Sequence, residues 1–233
     1  MKKVFCVLLI SLLLVATALS AAACSADTTE ASPSETIAQW QKMYTAGEFG
    51  IRSKKNPFVE FTFDTDETIR LELYPNVAPL SVDNFITYVK EGFYEGIAFH
   101  RIISSAIQWG AYEVKEDRLV YKEATHPAIK GEFKSNGVSN TLSHRKGVIS
   151  MARSTVNSAT SQVFICPVDV TSYDGSYAAF GRVIDEESMT VVTRIASLNT
   201  HSEALYQGES YSTASDVPET RVTIKKAVLV WDK

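Results

Sequence analysis

The chain has 233 residues, with 23 Lys and Arg against 27 Asp and Glu, a formal charge of −4, and 45% hydrophobic side chains. So mild an acidity leaves no basic surplus of the kind that nucleic acid or an anionic lipid surface attracts, so neither is expected as a partner. Three cysteines, Cys6, Cys24 and Cys166, do not make a disulfide framework.

The first residues read as an export signal. Lys2 and Lys3 form a basic start, Val4 to Leu19 an apolar run, and Ser20 to Ala23 a small-residue cleavage site. Cys24 follows at once, and Ala21-Ala22-Ala23-Cys24 resembles a bacterial lipobox, although Ala21 stands where Leu is usual. The expectation is a lipidated Cys24 that anchors an extracytoplasmic protein to the bacterial cell membrane; simple secretion and an uncleaved anchor are the alternatives. Cys166 is then the one thiol left in an oxidising compartment. Within Val163-Phe164-Ile165-Cys166 it is expected to be buried and inert.

Ser25 to Ser34 is rich in Ser, Thr, Asp and Glu and reads as a tether. Ile37, Trp40 and Tyr44 follow at helical spacing behind Ser34, a candidate N-cap. The domains are therefore set as 1–23, signal peptide; 24–56, lipidated cysteine, tether and short helix; and 57–233, the folded domain.

From Phe58 the period becomes two. Phe61 and Phe63 alternate with Glu60 and Thr62, then Ile69, Leu71 and Leu73 alternate with Arg70 and Glu72, which predicts an antiparallel hairpin with one buried face. Ser81 is a candidate cap for a helix over Val82 to Glu91 with Val82, Phe85, Ile86 and Val89 inward, ended by Gly92. Further strands are expected over Ala98 to Ile103, Gly147 to Met151, Gln162 to Cys166, Ala178 to Val183 and Arg221 to Trp231, and a second helix over Ser188 to Leu198. Many strands and two helices without a repeat indicate one mainly β domain, and composition does not choose between barrel and sandwich.

One run is chemically demanding. Arg101 sits between Phe99-His100 and Ile102-Ile103, and an arginine cannot shed its charge, so it needs a partner, a rim position or a ligand. His100 reads as a structural neighbour rather than a base. His126, His144 and His201 lack metal-ligand spacing and are expected in solvated loops; no metal or cofactor is implied.

Six segments in order carry a family resemblance: I-R-L-E-L-Y-P-N-V-A-P-L-S-V-D-N-F, G-F-Y-E-G-I-A-F-H-R-I-I, I-K-G-E-F, G-V-I-S-M-A-R-S, N-S-A-T-S-Q-V-F-I-C and Y-D-G-S-Y-A-A-F-G-R-V. Together, from about Phe58 to Val230, they resemble the cyclophilins, barrel-fold peptidyl-prolyl cis–trans isomerases. The resemblance implies a closed eight-stranded antiparallel barrel capped by two α-helices, acting as a monomer on proline-containing polypeptides that fold after export. It implies Arg101 as the catalytic arginine, with Gln108 and Phe164, the latter in the floor of a proline pocket. It also implies substrate contacts from Ala152, Arg153, Gln162 and Tyr177; His100, Ile107 and Tyr173, which stands where the family usually has Leu, are expected as further contacts.

The chain departs from the family after the arginine. The family reads close to F-H-R-V/I-I-P-x-F-M-x-Q-x-G-D, whereas this chain reads F-H-R-I-I-S-S-A-I-Q-W-G-A, one residue shorter. The Phe-Met wall of the pocket is reduced to Ala106 and Ile107. Trp109 either packs in the domain or swings into the vacated space as a further substrate contact. Two functions stay open: an isomerase, or a catalytically weak module of the same fold that binds Pro-containing or unfolded peptides.

Overall fold

The structure, a computed structural model, describes residues 56–231. The expected signal, Cys24, tether and first helix lie outside them. Strands β1 (Phe58–Phe63) and β2 (Thr68–Leu73) form the foreseen hairpin, with Phe61 opposite Ile69. Asp66 makes the turn at φ 61°, a left-handed value that a short polar side chain tolerates.

Helix α1 (Pro79–Lys90) begins earlier than the Ser81 cap predicts, because proline is favoured in the first turn, where its missing N–H costs nothing. Ala78 at the N-cap has no oxygen to offer. The buried Glu132 carboxylate takes over, accepting from the Leu80 and Ser81 N–H groups at 3.0 and 2.7 Å and from Ser81 Oγ at 2.7 Å. Helix α2 (Glu186–Ala196) is capped by Asp185, which accepts from Ser188 N at 2.7 Å, and buries Val191, Val192 and Ile195.

The remaining strands are β3 (Arg101–Ile103), β4 (Ala106–Trp109), β5 (Tyr112–Lys115), β6 (Arg118–Tyr121), β7 (Val148–Met151), β8 (Val163–Ile165), β9 (Ala179–Val183), β10 (Thr200–Gln207), β11 (Ser210–Pro218) and β12 (Ile224–Trp231). Eight of the twelve make one curled antiparallel sheet in the order β12-β1-β2-β9-β7-β8-β4-β3. Where a closed barrel was expected, the sheet is open, with β3 and β12 as its edges. The gap is crossed just before β3 and at the start of β12: Gly96 N donates to Ile224 O, Ile224 N to Ile97 O and Phe99 N to Val222 O, at 2.8–3.1 Å. β3 itself is three residues long and is left without a ladder on its outer side, which makes room for something else to lie there.

What lies there comes from a second sheet that the apolar pattern did not foretell, β11-β10-β6-β5. Strands β5 and β6 are joined by Glu116 and Asp117 at φ 49° and 61°, the mirror-image turn that matches strand twist in two-residue hairpins. The long β10–β11 hairpin then runs beside β6, anchored by Leu119, Leu205, Val217 and Ala98.

The core of the large sheet is aromatic. Phe61 meets Phe85, Tyr94 and Trp109 at centroid distances of 5.8–6.0 Å, and Phe85 meets Phe180 at 5.2 Å. Each such pair contributes about 0.5–1.5 kcal/mol beyond its buried area. Cys166 is fully buried, and burial pushes its thiol up to about 12, far from a nucleophile's range.

Candidate functional site

The β3–β4 hairpin sets the site. Arg101 pairs with Gln108, Ile102 with Ile107 and Ile103 with Ala106, so the shortened segment is absorbed as a two-residue turn, Ser104-Ser105. Alternation along β4 then decides every direction: Ala106 and Gln108 face outward, Ile107 and Trp109 face the core. Phe164 on β8 faces outward for the same reason, opposite Ser150 on β7.

These residues enclose a concavity of about 190 Å³ lined by Arg101, Ala106, Gln108, Ala152, Arg153, Phe164, Tyr173 and Tyr177. At its rim runs a polar chain. Arg101 Nε donates to Asp216 Oδ2 at 2.8 Å, Arg101 Nη1 lies 3.4 Å from Gln108 Oε1, and Gln108 Nε2 donates to Gln162 Oε1 at 3.0 Å. The Arg101 side chain is 44% exposed, so its ion pair is solvated and its outer edge is open to a ligand.

The floor is aromatic. Phe164 is buried, with Tyr173 and Tyr177 edge-on to it at 5.8 and 5.6 Å and His144 parallel to it at 6.2 Å. Tyr173 replaces part of the missing wall: its hydroxyl and Ser105 Oγ share a hydrogen bond of 2.7 Å across the mouth of the hairpin turn. The Arg153 guanidinium carbon sits over the Tyr177 and Phe133 rings, 4.8 Å from each centroid, while its Nε and Nη2 donate to Ser176 O at 3.0 and 2.6 Å.

His144 is not the solvated loop residue expected. It is buried, its Nδ1 2.8 Å from Asp174 Oδ1 and its Nε2 3.0 Å from Ser150 Oγ. Burial lowers its pKa, and the Asp174 carboxylate only partly opposes this. Burial alone would raise Asp174, but hydrogen bonds from Ser143, the His144 backbone and the His144 ring hold it below the usual carboxylate range. The order Asp174, His144, Ser150 has the connectivity of a hydrolase triad, yet Ser150 is fully buried and no substrate can meet its hydroxyl. The network instead props Phe164 from behind.

Three expected substrate contacts fall elsewhere. Trp109 packs against Phe61 and Phe99 at 5.8 and 5.1 Å inside the core, so of its two readings the packing one holds. Ile107 is buried beside it, for the same reason of register. His100 is buried behind Arg101 against Tyr112; burial, and then the Arg101 charge, lower its pKa to about 4. Gln162 reaches the site through Gln108. Arg101, Gln108, Phe164, Ala152, Arg153, Tyr173 and Tyr177 do come together. Asp216 and Ser105 were not foreseen: a lone Asp in the run Ser-Thr-Ala-Ser-Asp and a turn serine carry no sequence signal.

A family model described as cyclophilin type peptidyl-prolyl cis-trans isomerase/CLD matches residues 58–229. A peptidyl-prolyl cis-trans isomerase of Acinetobacter baylyi is 42% identical over 146 residues, which are 60% of this chain and 72% of that protein. Peptidyl-prolyl cis-trans isomerase A of Dickeya dadantii is 35% identical over 169 residues, 70% of this chain and 79% of that protein. Among solved structures, a cyclophilin type peptidyl-prolyl cis-trans isomerase of Cryptosporidium parvum has the same fold, with a TM-score of 0.56 at 19% identity, covering 76% of this chain and 99% of that one.

Proposed function

Because the chain belongs to the cyclophilin-type peptidyl-prolyl cis–trans isomerase family, we propose that it accelerates rotation about X-Pro amide bonds, with Arg101 as the catalytic residue and the Phe164 concavity as the proline pocket. One observation carries the assignment of roles: the Arg101 guanidinium, with an edge open at the rim beside Gln108, lines the same hollow as the aromatic floor.

An X-Pro bond resists rotation by about 18–20 kcal/mol because amide resonance must be broken. In the twisted state the prolyl nitrogen recovers its lone pair. A fixed guanidinium donating to that nitrogen binds the twisted state better than either planar one, so the barrier falls without any covalent step. A charge-assisted hydrogen bond contributes roughly 1.5–3 kcal/mol, one to two decades in rate. The aromatic floor adds its part by holding the ring and excluding water from the amide.

The second reading, a module that binds proline peptides without useful turnover, draws support from Ala106, which leaves one side of the hollow without an aromatic wall. Measuring cis–trans exchange of an Ala-Pro-containing peptide by NMR with the full-length chain and its Arg101→Ala variant separates the two. An isomerase loses most of its acceleration in the variant; equal, uncatalysed rates in both would leave the binding module.

We further propose that the protein is a lipoprotein acting on exported polypeptides outside the cytoplasm. The support is the order of charged, apolar and small residues over 1–23 followed by Cys24. Among the described residues no helix is long and apolar enough to cross a membrane. Mass spectrometry of the N-terminal peptide from membranes tests this: an acylated Cys24 is expected, and any other N-terminus ends the proposal.

A further inference from the structure

Two guanidinium groups and no carboxylate line the concavity. Their charges are handled differently. Arg101 is paired with Asp216, which compensates it. Arg153 is held by neutral groups alone: the Ser176 carbonyl, taken by Nε and Nη2, and the ring faces of Phe133 and Tyr177. Asp174, the acidic residue beside this wall, is engaged by Ser143 and by the backbone and ring of His144. The site therefore carries one uncompensated, half-buried cation. Nη1 of Arg153 has no hydrogen-bond partner among the described residues.

The Arg153 side chain is also pre-organised. Its contacts with two ring faces and the two hydrogen bonds it donates to Ser176 O fix the guanidinium before any ligand arrives, so a partner does not have to order a flexible chain. Partial burial weakens screening by water and salt relative to a free surface arginine. A cation fixed in this way selects by sign: it attracts a carboxylate and penalises an ammonium in the same position.

On the isomerase reading above, we propose that Arg153 is a specificity-determining residue, and that the enzyme prefers X-Pro bonds flanked by Asp or Glu. The flanking carboxylate accepts from Nη1 while the proline ring occupies the floor at Phe164 and Arg101 faces the amide. Peptides with Lys or Arg at that position are disfavoured.

The test uses the full-length chain and peptides of the form Ala-X-Pro-Phe and Ala-Ala-Pro-X, with X being Glu, Ala or Lys, so that both flanks are sampled. Cis–trans exchange is followed by NMR, which avoids a coupling protease with preferences of its own, and Kd is measured on the same peptides by calorimetry. At one flank, kcat/KM for Glu is expected to exceed that for Lys by about five- to tenfold at low salt, the ratio expected for a pre-organised, half-buried charge pair. The ratio shrinks as salt rises from about 20 mM to about 0.5 M. Arg153→Gln brings it to about one, and Arg153→Glu inverts it. Equal values for Glu and Lys at both flanks in the unsubstituted protein would overturn the proposal, as would a ratio that Arg153→Gln leaves in place. If no peptide is isomerised faster than in buffer, the isomerase reading fails, and the Glu-to-Lys ratio of Kd values still decides the charge preference of the site.

Discussion

Arg101 and Asp216 meet across 115 positions of sequence and across two sheets, Nε to Oδ2 at 2.8 Å. Arg101 belongs to the open edge of the large sheet and Asp216 to the second sheet, so the β10–β11 hairpin occupies the side of β3 that a closed barrel would have filled with another strand. The ion pair uses the Nε edge and leaves the far edge of the guanidinium for the groove. Partner and rim position, offered by the sequence as alternatives for this arginine, are here both satisfied at once.

Asp216 should act through Arg101, as a positioning residue. Asp216→Ala is expected to lower kcat/KM about fivefold, equivalent to about 1 kcal/mol for a pair this exposed, and, on the mechanism proposed above, to do so mainly in kcat, the guanidinium contact being one made in the twisted state. Asp216→Asn keeps an acceptor for Nε and should recover much of the loss. In the Arg101→Ala background the Asp216 substitutions should have no further effect, which a double-mutant cycle by NMR exchange would show.

The bond between Tyr173 and Ser105 rebuilds one wall of the pocket. Tyr173→Phe and Ser105→Ala should each raise KM for a proline peptide by a few-fold, corresponding to about 1 kcal/mol for one hydrogen bond, and the double variant should be no worse than either single one. Fully additive losses in KM would mean that the two residues act separately on the substrate.

How much of this was legible beforehand followed from where periodicity exists. Phe61, Ile69, Val82, Phe85 and Val192 announce their elements because each faces one core. Ser210–Pro218 does not: most of β11 is exposed, only Val217 and Pro218 at its end are buried, and its strand character comes from pairing with β10. Arg101, Gln108 and Phe164 were legible through motif. Trp109 and Ile107 were not, because which side chains of the shortened segment face out is decided only once β4 pairs with β3 and β8. His144 reads as a solvated residue because its partner Asp174 lies 30 residues away and the Phe164 ring parallel to it is likewise remote in sequence.

Acid should destabilise the fold through His100. Its pKa falls from 6.5 to about 4 on folding, because burial and the Arg101 charge disfavour the protonated ring. The folded state therefore binds fewer protons than the unfolded chain in this range. The stabilisation is fully present above about pH 6.5 and is lost as pH falls from there through about 4, in total on the order of 3 kcal/mol. His144, also lowered, adds a slope of the same sign below 6.5. Urea unfolding as a function of pH should show the decline, and His100→Gln should flatten it; an unchanged slope in that variant would remove His100 from the account.

Glu132 holds the start of α1 from 51 positions away, so its loss should unfold more than one turn. Its two carboxylate oxygens accept from Leu80 N at the surface of the domain and from Ser81 N and Ser81 Oγ in its interior, where water cannot substitute. A helix N-terminus also favours a negative group there. Glu132→Gln keeps the shape but turns an N–H toward donors already in place, leaving at least one of them unsatisfied, which is expected to cost about 2–3 kcal/mol. Glu132→Ala should cost as much by leaving both buried Ser81 donors unmet. Because α1 packs Val82, Phe85 and Val89 onto the core rather than onto the Phe164 concavity, the variants should melt earlier while kcat/KM at low temperature stays within about twofold. Native-state hydrogen exchange gives the local check: protection at the Leu80 and Ser81 amides should fall first, ahead of the amides in the middle of the helix.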